Sequence, residues 1–63
     1  MINLNLGDKV NMTHKSTGGT FENAVVVAFE YDEYASPIVN VGGYSHLTLD
    51  AKTLKMYDVK KVK

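Results

Sequence analysis

Ala24-Val25-Val26-Val27-Ala28-Phe29-Glu30-Tyr31 is the stretch that decides the fold. Three consecutive valines lose rotamer freedom in a helix and pack well on a pleated surface, so this segment reads as a strand. Strict alternation puts Val25, Val27, Phe29 and Tyr31 on one face and Val26, Ala28 and Glu30 on the other. Upstream, Lys15-Ser16-Thr17-Gly18-Gly19 is a loop of polar residues closed by two glycines. Before that loop, Gly7-Asp8 is a turn, and Lys9-Val10-Asn11-Met12 alternates as a half-buried strand. Downstream, Asp32 to Pro37 is expected to turn the chain and Ile38-Val39-Asn40-Val41 to start another strand. Gly42-Gly43 then permits a tight reversal into Tyr44-Ser45-His46-Leu47-Thr48-Leu49. The expected core is Val10, Val25, Val27, Phe29, Val39, Val41, Leu47 and Leu49.

Residues 51–63 read two ways. Asp50 is a suitable helix cap, and no glycine or proline follows it. At helical spacing, however, Ala51, Leu54, Met56, Tyr57, Val59 and Val62 scatter around the circumference and form no apolar stripe. A turn at Asp50–Thr53, followed by alternation from Leu54 onward, is the favoured expectation.

The whole chain has 63 residues, enough for one small domain. A domain of this size buries only about 60% of the surface its unfolded chain exposes. Four or five short strands meet that constraint economically when the sheet bends and closes into a small barrel. The expected fold is therefore all-β, a single barrel over residues 1–63 with a basic tail at 60–63.

Composition excludes several function classes. There is no cysteine, so disulfide scaffolds, thiolate zinc sites and cysteine nucleophiles are out. Seven lysines balance seven acids, against both a strongly acidic nucleic-acid mimic and a histone-like binder. The distribution is uneven: residues 1–50 hold two lysines and six acids, residues 51–63 five lysines and one acid. No apolar run approaches the roughly 20 residues needed to span a bilayer. The opening residues show no basic segment followed by an apolar one, so a soluble cytoplasmic protein with no membrane partner is expected.

The element order resembles the SH3-like small β-barrels of the KOW and Tudor type. Gly7-Asp8-Lys9-Val10 matches their opening segment, Gly19 to Phe29 their glycine-led second strand, and Ile38 to Leu49 their third and fourth strands. Tyr57-Asp58-Val59-Lys60-Lys61-Val62 resembles their closing strand, which follows a single 3₁₀ turn. The KOW-type glycine inside the second strand is replaced here by Val25-Val26-Val27. The resemblance implies a barrel and leaves the function open. In size and in its asparagine- and lysine-rich, cysteine-free composition the chain is also similar to small phage or mobile-element proteins. That resemblance implies a modulator of a host or viral protein, acting in the host cytoplasm.

Candidate chemistry is sparse. His14 and His46 are the two imidazoles, and neither has a histidine at a metal-ligand spacing, so no metal or cofactor is expected. Glu30-Tyr31-Asp32-Glu33-Tyr34 packs three carboxylates and two phenols into five residues. Its plainer reading is a solvated acidic loop; the functional one is a protein-binding rim, with tyrosines for contact area and charge for steering. With alternation continuing, Glu30 and Asp32 share a face, as do Tyr31 and Glu33. Lys60, Lys61 and Lys63, with Tyr44 or Tyr57 as stacking platforms, form the alternative, a nucleic-acid interface. Without a nucleophile elbow, metal motif or phosphate loop, an enzyme is the weakest reading. The expected function is a non-enzymatic accessory or regulatory module that binds another protein through Glu30 to Tyr34.

Overall fold

The computed structural model describes residues 3–62. The chain runs β1 (Lys9–His14), β2 (Thr20–Tyr31), β3 (Ala35–Gly42), β4 (Ser45–Thr48), α1 (Ala51–Met56) and β5 (Tyr57–Lys61). All pairings are antiparallel, in the order β4-β3-β2-β1-β5. The protein is all-β with one short helix. The sheet is not closed into the expected barrel: β4 and β5 are its two edges, and no ladder joins them among the described residues.

The core differs from the alternation-based expectation inside β2, for an identifiable reason. Two irregularities each insert an extra β2 residue. Between Phe21 and Ala24 three β2 steps face the two β1 steps from Met12 to Val10. Between Val26 and Ala28 two β2 steps face the single β3 step from Val39 to Ile38. Each bulge reverses the facing of all that follows. The inward residues of β2 are therefore Phe21, Ala24, Val26 and Phe29, spaced three, two and three apart. Val26 and Ala24 are buried, Val25 is half-buried, and Val27 is exposed at 44%. The expectation of Val25 and Val27 in the core is thus corrected, whereas Phe29, beyond the second bulge, does pack against it.

Asn23 marks the first bulge. It adopts a positive φ of 55°, a region where asparagine is tolerated better than most residues. Its backbone N–H donates to Asn11 Oδ1 at 2.9 Å across the ladder.

The remaining core is Leu4, Val10, Met12, Val39 and Leu49, with Val41 and Leu47 partly buried against it. Val26 pairs directly with Val39, and Val39 with Leu47, so these three strands contribute one continuous apolar row. Leu4 and Met12 were not in the expected core, although Met12 is in phase with Val10.

Two turns follow the sequence reading. Gly7-Asp8 is a closed turn in which Asn5 N–H donates to Asp8 Oδ2 at 2.9 Å and Asp8 N–H to Asn5 O at 3.0 Å. At Gly42-Gly43 both φ angles are positive, 133° and 53°, which glycine reaches at no steric cost. Asn40 braces this turn from both sides: its Oδ1 accepts from Gly42 N–H and its Nδ2 donates to Gly43 O.

The end of the chain corrects two further expectations. Residues 51–56 are helix, where a turn to Thr53 and alternation from Leu54 were expected, and the strand starts only at Tyr57. Asp50 caps it by accepting from Thr53 N–H at 2.9 Å, satisfying one of the free donors of a helix start. One and a half turns are too few to display an apolar stripe, so Thr53 and Leu54 suffice as the inward contact. Nor are Lys60 and Lys61 part of a tail. They belong to β5, pairing with Asn11 and Val10, while Lys63 lies outside the described residues.

Candidate functional site

β2 and β3 form a hairpin whose tip is Asp32–Tyr34. The expected acidic-aromatic segment is thus split, with Glu30 and Tyr31 closing β2 and the rest making the turn. Alternation stops at Tyr31, so the face-sharing carboxylate pair expected from Glu30 and Asp32 does not follow from a strand. The whole segment is exposed, with Tyr31 and Tyr34 at 78% and 68%. The turn begins at Asp32 as expected but ends sooner, because Ala35, Ser36 and Pro37 are already in β3. Pro37 is tolerated in that strand because its backbone faces the β4 side, just past the end of β4, where Leu49 N–H donates to Pro37 O at 2.7 Å.

Below the hairpin lies an open groove of about 640 Å³. Phe29 and Pro37, cross-strand partners, form its sheet side. Leu4, Leu49 and Leu54 come from three other segments, and Tyr34 reaches it from the hairpin tip. Among the described residues, none of those that line it is charged. Phe29 also contacts Tyr31, ring centroids 6.3 Å apart and tilted 37°. The apolar groove and the acidic loop are therefore one surface, joined through Tyr34 and the Phe29–Tyr31 pair. Sequence reasoning found the loop but not the groove. Its walls meet only through tertiary pairing, and the residues that build it look like ordinary core.

The alternative interface is dispersed. Tyr44 is fully exposed at the β3–β4 turn, on one edge of the strand order, whereas Lys60 and Lys61 are on the opposite edge strand. Lys61 Nζ lies 3.5 Å from Asp8 Oδ2. Tyr57 is not a free stacking platform. It is half-buried, edge-on to His14 with centroids 4.9 Å apart, and tilted against Phe21 at 6.2 Å.

The two histidines also separate by role. His14 Nδ1 accepts from the backbone N–H groups of Ser16 and Thr17 at 3.1 and 3.2 Å, so it closes the β1–β2 turn. His46 is exposed on β4, opposite Asn40. Among the described residues no group of three or more histidine, aspartate or glutamate side chains is arranged to hold a metal ion. No helix among them is long and apolar enough to cross a membrane.

Two carboxylates titrate below the usual range, and both serve the fold. The backbone N–H of Asn5 holds Asp8 low, with Lys61 adding to the effect. The Thr53 backbone N–H and hydroxyl hold Asp50 low. Comparison with known proteins finds no matching family model, no similar curated protein and no similar solved structure.

Proposed function

We propose that this chain is a small SH3-like module that binds another protein through the β2–β3 hairpin tip and the groove beneath it. The observation that carries the reading is the position of Tyr34, which belongs both to the acidic turn and to the apolar groove. A protein interface typically needs an apolar centre, aromatic anchors and a charged rim. Phe29, Pro37 and Leu49 supply the first, Tyr31 and Tyr34 the second, and Glu30, Asp32 and Glu33 the third. The SH3-like reading draws support from the strand order with one short helix ahead of the last strand; here the sheet stays open between β4 and β5.

The module is non-enzymatic and acts as an accessory or regulator. Its resemblance to small phage proteins makes a host or viral protein in the host cytoplasm the expected partner. Affinity capture from the native host with the wild type, Tyr34→Ala and a Lys60→Ala/Lys61→Ala pair, each with and without nuclease, tests the reading. Capture that survives nuclease, is lost with Tyr34→Ala and persists in the lysine pair is the expected result. Capture abolished by nuclease or by the lysine pair, and untouched at Tyr34, overturns it in favour of nucleic-acid binding.

A further inference from the structure

Edge strands are hazards that proteins normally blunt, and two of the edges here are blunted. β5 carries Lys60 and Lys61, and β4 is only four residues long. The brevity of β4 leaves part of β3 uncovered. Leu49 N–H donates to Pro37 O, so the backbone of Pro37 faces the β4 side. In an antiparallel strand this facing recurs every second residue, which puts the N–H and C=O of Ala35 on the same edge. There β4 has already ended: the chain leaves at Asp50 into α1. Among the described residues no backbone hydrogen bond reaches Ala35 from that side. Ala35 itself lines the apolar groove.

From this edge, the groove and its rim, we infer that the site takes an extended peptide segment of a partner protein, with apolar residues flanked by lysine or arginine. The segment adds as a short strand beside Ala35. Strand addition draws affinity from main-chain hydrogen bonds and specificity from alternate side chains. Its apolar side chains enter the groove between Phe29, Pro37, Leu49 and Leu54. Its cationic residues meet Glu30, Asp32 and Glu33, which face no lysine across the hairpin: Glu30 pairs with Ser36 and Tyr31 with Ala35. Among the described residues, those that line the groove contribute no opposing charge. An acidic or purely polar segment lacks both matches.

This inference rests on the proposed protein-binding role, and the test separates the two. The probe is a fluorescein-labelled, end-capped peptide of alternating lysine and valine, read by fluorescence anisotropy against the full chain. Saturable binding that weakens as salt rises is expected. Exchanging the lysines for glutamates should weaken it at least about tenfold, as should a Glu30→Gln/Asp32→Asn/Glu33→Gln variant. N-methylating alternate peptide amides on one edge, which removes donors without removing side chains, should weaken it by about tenfold for one or two lost hydrogen bonds. Ala51→Lys, an exposed position on the groove wall, should likewise weaken it while the cooperative melt is retained. Equal binding by the glutamate peptide or by both N-methylated registers overturns the inference. So does self-association of the chain that competes with the probe, which would make a second copy the occupant. If Tyr34-dependent capture of a protein succeeds while the probe fails, this inference alone falls. If both fail, the protein-binding role falls with it.

Discussion

Replacing Val26 and Val27 separately by alanine tests the bulged facing of β2, because the two valines are adjacent in sequence and opposite in environment. Val26 is 1% exposed and Val27 44%. Val26→Ala removes two buried carbons, about 1.6 kcal/mol of transfer free energy at roughly 0.8 per carbon. A residual cavity of about 50 Å³ at about 24 cal/mol per Å³ adds about 1.2 kcal/mol. The expected loss is therefore about 3 kcal/mol. A domain of this length has a total stability of about 3–9 kcal/mol, so the loss is a third of it or more. Val27→Ala creates no cavity and gives up only part of the transfer term, so its cost stays below about 1 kcal/mol. Urea unfolding followed by tyrosine fluorescence and far-ultraviolet circular dichroism measures both, with an unchanged denaturant slope confirming comparable unfolding. Equal losses, or a larger one at Val27, would refute the bulge between Val26 and Ala28 and restore simple alternation.

Three further outcomes follow from the same geometry. Met12→Ala, at a fully buried position, should cost about 2–5 kcal/mol in the same urea assay. Asn23→Gly should be neutral or stabilising by up to about 1 kcal/mol, since the cross-strand bond uses the backbone N–H, whereas Asn23→Val should cost about 1–2 kcal/mol at that positive φ. Asp8 and Asp50 are held below the ordinary carboxyl value of 3.8 in the folded chain. Their contribution is then fully present above that value and lost as pH falls through the depressed folded values. Melting temperature should drop across that acid window, and less steeply in Asp50→Ala, which already lacks the cap.

Much of this architecture was legible because strand and turn chemistry is local. Val10, Val39, Val41, Leu47 and Leu49 alternate as the structure uses them, and Gly42-Gly43 marks its reversal correctly. What escaped was set by tertiary contact. The inward spacing Phe21, Ala24, Val26, Phe29 belongs to no simple period, because each bulge shifts the phase by one residue. Asp50 announced α1, but a helix this short owes its existence to its cap and to Thr53 and Leu54 docking, not to a stripe. The acidic-aromatic loop stood out in the sequence by composition. Its neighbour, the groove, did not, since Leu4, Phe29, Leu49 and Leu54 meet only when four segments converge. Tyr57 shows the converse: a tyrosine beside lysines suggested a stacking surface, yet its ring is taken up by His14 and Phe21.

In the proposed reading the hairpin tip and the groove act as a single contact surface. Residue-resolved NMR of the isotope-labelled chain, titrated with the captured partner protein, tests it most directly. The expected perturbations are contiguous over residues 29–37 and recur at Leu49, Ala51 and Leu54, with Tyr44 and residues 57–61 unmoved. Perturbations centred on Lys60, Lys61 and Tyr44, with Tyr34 and the groove silent, would contradict it.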